Sequence, residues 1–271
     1  MNDGAAVMAD GALVSVEERE GGILLMGLNR PAKLNAFSEG MVAELVAAYT
    51  RLERDDALRC GVLHAHGGDF TAGLDLPAFA ARWSAGENPF APPDGMTDPW
   101  GLVGKPRRKP VVAAAQGRCY TLGIELLLAA DVRVAAQGTR FAQLEIKRGI
   151  YPVGGATLRM VQECGWGNAM RWLLTGGEFD AAEALRIGLV QEVLPTASVL
   201  DRACAIAAEV AATAPLGAQA TRDNARQAIE EGWGPALARL VPDLRPLLAS
   251  EDAAEGVASF RERRPAQFRG R

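Results

Sequence analysis

The run Gln116 to Glu145, QGRCYTLGIELLLAADVRVAAQGTRFAQLE, decides the reading of the fold. It follows a strand-like apolar run, Val111 to Ala115, turns through Gly117, and enters an apolar helical segment at about Leu122 or Gly123. A second strand covers Val132 to Ala135. Gln137-Gly138 turns the chain, and a short extended run passes Phe141 to reach Glu145. One carboxylate, Glu125, therefore falls in the first turn of a helix that otherwise reads as buried. The second, Glu145, ends the following strand, so the two acids can meet in space.

Such an arrangement suits the addition or removal of water, or the movement of a proton, next to a carbonyl. Backbone N–H groups at a helix N-terminus are unpaired and sit at the positive end of the dipole, so they can hold a developing enolate oxygen. Partial burial raises a Glu pKa, and a like charge nearby raises one of a pair further. An acid and a base can then coexist at one pH. Spacing alone favours a plainer reading: Glu125 complements the helix dipole and Glu145 is an exposed acid at a strand end.

Upstream, Leu13 to Val16 and Ile23 to Leu28 read as a hairpin across Gly21-Gly22. After the loop Asn29 to Phe37, Ser38 reads as the N-cap of an amphipathic helix to about Asp55, and Cys60 to Ala65 as a third strand. Gly67-Gly68-Asp69 breaks that strand before Phe70-Thr71-Ala72-Gly73-Leu74-Asp75-Leu76, a second turn into a helix start. From Pro77 to Pro110 the chain becomes rich in proline and glycine and reads as a partly mobile lid around one short helix. It closes on Lys105 to Lys109, KPRRK, a basic cluster able to meet a phosphate or simply a solvated loop.

Downstream, a loop at Tyr151 to Gly155 precedes a helix from about Ala156, Leu189 to Val193 reads as a strand, and Ala197 to Arg263 as nearly all helix. The division this suggests is an α/β core over 1–195 and a helical region over 196–271.

With 271 residues, 49% of them apolar, the chain can bury a sizeable core, and a net charge of −4 argues against general affinity for nucleic acid or an anionic membrane. Cys60, Cys119, Cys164 and Cys204 lie far apart and read as reduced thiols. His64 and His66, the only histidines, lack further ligands for a metal nearby. The first dozen residues carry neither a secretory nor an organelle signal, and no apolar run reaches membrane length, so the expected location is the cytoplasm.

From Val14 to Phe268 the sequence resembles the crotonase superfamily, the enoyl-CoA hydratases and isomerases. Asn29-Arg30-Pro31 with Asn35-Ala36, Phe70 to Leu76, Gln116-Gly117 leading to Gly123-Ile124-Glu125-Leu126 and Asp131, Gly154-Gly155-Ala156-Thr157, and Leu174-Thr175-Gly176 agree in order and spacing. The resemblance implies a crotonase-like α/β fold, a superhelix of ββα units, with a C-terminal helical region that assembles homotrimers or homohexamers. It implies an acyl-CoA substrate, with coenzyme A as part of the thioester and no separate cofactor, metal, nucleic-acid or membrane partner. The main-chain N–H groups of Leu74 and Leu122 match the family's oxyanion hole. Loops with Lys33, Leu34 and Ala36, and with Ala72, Leu74, Asp75, Leu76 and Pro77, match those that hold coenzyme A. Glu125 and Glu145 match a hydratase's two acids, which implies water added at C3 of a trans-2-enoyl-CoA with Glu145 giving a proton to C2.

The resemblance leaves alternatives: a Δ3,Δ2-enoyl-CoA isomerase, or a member acting on an unusual thioester such as carnitinyl-CoA. Two departures bear on the pocket. Tyr120-Thr121-Leu122-Gly123 stands where family hydratases carry a glycine run, and Tyr151-Pro152-Val153, with Trp83, Phe90 and Trp100 of the lid, adds bulk beside the acyl site.

Overall fold

The computed structural model describes residues 11–271. Strands β1 (Val14–Arg19) and β2 (Ile23–Leu28) form the antiparallel hairpin, with positive φ at both Gly21 and Gly22. Helix α1 (Glu39–Arg54) starts where expected, the Ser38 hydroxyl accepting the Met41 N–H. There follow β3 (Cys60–Ala65), α2 (Leu76–Ser84), β4 (Val111–Ala115), β5 (Arg118–Tyr120), α3 (Leu122–Ala129), β6 (Val132–Ala136) and β7 (Arg140–Ala142). Then come α4 (Ala156–Cys164), α5 (Trp166–Thr175), β8 (Glu178–Asp180), α6 (Ala181–Arg186) and β9 (Glu192–Leu194). Four helices end the chain: α7 (Val199–Ala211), α8 (Pro215–Glu230), α9 (Trp233–Leu248) and α10 (Glu251–Glu262).

The main sheet has the order β1-β2-β3-β4-β6-β9 and is parallel from β2 onward; a small sheet has the order β5-β7-β8. Helices lie on both faces of the main sheet, which explains the unbroken apolar runs of β3 and β4: alternate residues serve two cores. Val112 and Ala114 face α7 with Val62 and Val134, whereas Val111, Ala113 and Ala115 join the larger core with α1 and α3.

Three expectations change. The strand read at Leu189 to Val193 begins later, at Glu192. Leu189 and Val190 are instead buried in the turn after α6, both N–H groups bonded to the Ala184 carbonyl, so their apolarity fills a core rather than a sheet. Glu145 opens a 3-10 turn, Glu145–Arg148, instead of ending a strand. On α7, part of the helical region expected to assemble the oligomer, Val199, Ala203 and Ile206 are instead buried against the chain's own sheet. Among the four C-terminal helices the exposed large apolar side chains are Ile229 of α8 and a larger set on α9 and α10. Among the described residues no helix is long and apolar enough to cross a membrane.

Candidate active site

Two backbone turns, far apart in sequence, are stitched together. Thr71 pairs with Cys119: the Thr71 N–H donates to the Arg118 carbonyl at 2.9 Å and the Tyr120 N–H to the Thr71 carbonyl at 3.1 Å. Gly117 makes the approach sterically feasible, because a Cβ there would lie 2.0 Å from the Gly68 carbonyl oxygen. On its other side the first turn pairs with Phe37, whose N–H donates to the Gly73 carbonyl and whose carbonyl accepts from Asp75. That register turns the Leu74 N–H away from Phe37, and among the described residues it has no partner. The Leu122 N–H, at the first position of α3, has none either. Thr121, immediately before it, holds φ 49° and ψ −114°, a conformation costly for a β-branched residue.

Both turns open on a cavity of about 200 Å³. Glu125 and Glu145 line it, with Ala72, Leu74, Leu76 and Leu122 on the turn side. Trp83 and Phe90 form a further wall, with Ile150, Tyr151 and Val153 opposite.

Glu125 is 1% exposed, and its Oε1 accepts the N–H groups of Gly154 at 2.7 Å and Ala156 at 3.1 Å. Gly154 must be glycine for this, since a Cβ would come within 2.3 Å of Glu125 Oε2. Burial pushes the Glu125 carboxyl up to about 7; the two N–H bonds work against that rise, and the charge of Glu145 adds to it. Glu145 is pushed up to about 7 by burial as well. Gln143, also 1% exposed, sits beneath it. With the amide turned to suit its neighbours, the nitrogen donates to the Thr121 carbonyl and to Glu145 Oε2, each at 3.2 Å. One buried amide thus ties the second acid to the turn that precedes Leu122.

Lys33, Leu34, Ala36 and Asp75 do not line the cavity. They lie on loops bonded to its rim: the Ala72 N–H donates to the Leu34 carbonyl, and Asp75, at the N-cap position of α2 without a side-chain cap bond, lies 3.9 Å from Arg30. Leu34 and Asn35 both take φ 52°. The buried Asn35 amide fixes that turn by donating to the His66 and Asp69 carbonyls. Helix α2 includes Pro77, whose side chain lies outside the described residues.

The basic cluster is a correction, because it is committed to the fold. Arg107, 4% exposed, bonds Asp131 Oδ2 at 2.8 Å; Arg108 pairs with Asp223, and Lys109 donates to the Asp55 carbonyl. The lid is likewise fastened. Asp98 accepts the N–H groups of Trp100, Leu102 and Val103, while Phe79, Trp83, Phe90 and Trp100 stack in one cluster. Trp83 and Phe90 reach the cavity wall; Trp100 packs behind them.

Sequence reasoning missed Gln143 and Asn35. Gln143, two positions before an acid and buried in a short strand's continuation, was legible only as a polar residue in an apolar run. Asn35 stood in the Asn35-Ala36 motif, but nothing in the sequence gave its part in fixing the turn. Among the described residues, no group of three or more His, Cys, Asp or Glu side chains converges as a metal site would require.

A family profile described as enoyl-CoA hydratase/isomerase matches residues 18–271. The chain belongs to that family, the crotonase superfamily. It is 35% identical to an enoyl-CoA hydratase of Mycobacterium tuberculosis over 94% of this chain and 96% of that protein. It is 33% identical to a 2,3-dehydroadipyl-CoA hydratase of Escherichia coli over 96% of this chain and 98% of that protein. A crystal structure of a probable enoyl-CoA hydratase/isomerase from Mycobacterium abscessus superposes with a TM-score of 0.91 at 49% identity, covering 96% and 99% of the two chains. The fold is that of the crotonase enzymes, and the chain is an enzyme of that type, whose substrates are coenzyme A thioesters.

Proposed function

We propose that this crotonase member hydrates trans-2-enoyl-CoA thioesters. The observation that carries the reading is the meeting, on one cavity, of two carboxylates raised to about 7 and two unpartnered main-chain N–H groups. The thioester oxygen is held by the N–H groups of Leu74 and Leu122, which stabilise the enolate; such donors are each worth about 3–4 kcal/mol where measured. The N–H bonds to Glu125 favour its ionised form, so Glu125 takes the proton from a water that attacks C3. Glu145, with fewer donors, carries the pair's single proton and gives it to C2. Coenzyme A enters along the loops of Lys33 to Ala36 and Ala72 to Pro77.

Loss of the conjugated enoyl-thioester absorbance, followed with crotonyl-CoA and longer homologues, tests this together with Glu125→Gln and Glu145→Gln. Rapid loss in the wild type that both substitutions abolish is the expected result. Isomerisation of a 3-enoyl-CoA that survives loss of one acid and is abolished by loss of the other would replace hydration by a single-acid proton shuttle.

We further propose that residues 196–271 assemble the protein into a trimer or a pair of trimers. Support comes from α9 and α10, where Trp233 is 84% and Phe260 86% exposed, beside Leu237, Leu240 and Val241. A monomer in analytical ultracentrifugation would overturn that assignment.

A further inference from the structure

The wall of the catalytic cavity contains a cation that hydration of a simple enoyl chain does not use. Arg148 lines the same cavity as Glu125 and Glu145. It closes the 3-10 turn that Glu145 opens, and Gly149, at φ 75°, ends that turn directly after it. In a 3-10 turn the side chains of residues three apart eclipse, with a rise of about 6 Å over the three steps. The acid and the guanidinium therefore leave the same side of the turn, and both line the cavity. Their charges are nevertheless not paired. Among the described residues Arg148 makes no ion pair, and its only bond is a long one, 3.4 Å, to the carbonyl of its neighbour Lys147.

The surroundings sharpen the question of what it binds. Of the residues lining the cavity, Trp83, Phe90, Ile150 and Val153 are apolar, while Arg148 is itself solvent-exposed. A methyl-ended acyl chain laid along that wall would strip water from a guanidinium and return no hydrogen bond. A chain that ends in a carboxylate would return two, because the planar fork of arginine matches a carboxylate in a bidentate pair.

We infer that the thioesters this enzyme takes carry a carboxylate on the acyl chain, a few carbons beyond C3, and that Arg148 binds it. The inference rests on the hydratase reading and deepens it: Leu74, Leu122, Glu125 and Glu145 act at the thioester end, and Arg148 selects the far end.

The test compares two six-carbon substrates, trans-2-hexenoyl-CoA and the same chain ending in a carboxylate, with the wild type, Arg148→Met and Arg148→Lys. The readout is the ratio of kcat/KM for the diacid to that for the monoacid. The wild type is expected to favour the diacid by tenfold or more. Arg148→Met keeps the stem and removes the charge, so the ratio should fall at least tenfold through the KM of the diacid; Arg148→Lys should restore part of it. A wild-type ratio at or below one overturns the inference while leaving hydration standing. So does a loss in Arg148→Met that is equal for both thioesters, which is what a purely structural role would give. Turnover of neither thioester would sink the hydratase reading, and this inference with it.

Discussion

Helix α3 carries a carboxylate at each end, and the two are treated in opposite ways. Glu125, in its first turn, is bonded only by backbone N–H groups, and burial pushes it up to about 7 although the charge of Arg159 acts against the rise. Asp131, just past its last turn, meets Arg107 at 2.8 Å, Arg222 at 2.7 Å and the Val111 N–H at 2.8 Å. Burial raises its pKa, but the two guanidinium groups and the N–H outweigh that and hold it below the usual carboxylate range. The helix dipole alone would favour the reverse, since its positive end faces Glu125. The difference teaches that the placing of cations, not burial or the dipole, decides which acid is free to exchange a proton. Arg107 and Arg222 are directed to Asp131, whereas neither bonds Glu125.

The largest break in this comparison should come from the reactive end. Glu125→Gln and Glu145→Gln are each expected to lower hydration about a thousandfold, read as kcat, with the circular dichroism spectrum unchanged. Next in size is the structural end. Asp131→Asn leaves the buried Arg107 without its counter-charge and should cost roughly 2–3 kcal/mol of unfolding free energy in urea. That figure is set below the cost of breaking a fully buried pair because the Asp131 side chain is 29% exposed. Turnover per folded molecule should stay within a few-fold.

The two ends should also respond to pH with opposite sign. Glu125 and Glu145 have folded-state values raised above 4.5, so their contribution to stability is full below about pH 4.5 and is lost as pH rises through about 7. Asp131 is depressed below 3.8, so its contribution is full above that pH and is lost only as pH falls through its lowered value. Glu125→Gln should therefore raise the thermal midpoint at pH 8 and leave it nearly unchanged at pH 4.5. The hydration rate should trace a bell centred near pH 7, as a pair sharing one proton requires. The smallest effect is expected at Thr121→Gly. Relief of the unfavourable φ, partly offset by the added freedom of the unfolded chain, should leave about 1 kcal/mol of stabilisation.

Much of this contrast was legible in the amino-acid order. The apolar runs Val111 to Ala115 and Val132 to Ala135, with a glycine turn and a buried helix between them, place Glu125 without coordinates, because strand and helix periods leave one register. Glu145 was found as a residue but misjudged in its setting, since the extended run before it gives no sign that the chain tightens into a 3-10 turn. The fate of Lys105 to Lys109 was not legible. Its partners Asp55, Asp131 and Asp223 come from three separate segments, and sequence distance hides such pairing. The same holds for Leu189 and Val190, whose apolar character states burial without saying whether a sheet or a helix end receives them.

The bonds that tie Thr71 to Arg118 and Tyr120 run entirely through main chain. The distance between the Leu74 and Leu122 N–H groups is therefore inherited from the peptide skeleton, whatever side chains those two positions carry. The walls at Trp83, Phe90 and Arg148 hang on other segments and can be exchanged independently of it. Retargeting to a new acyl group is thus modular in this scaffold: transplanting wall residues from a relative should change what is accepted while the reactive frame is passed on intact.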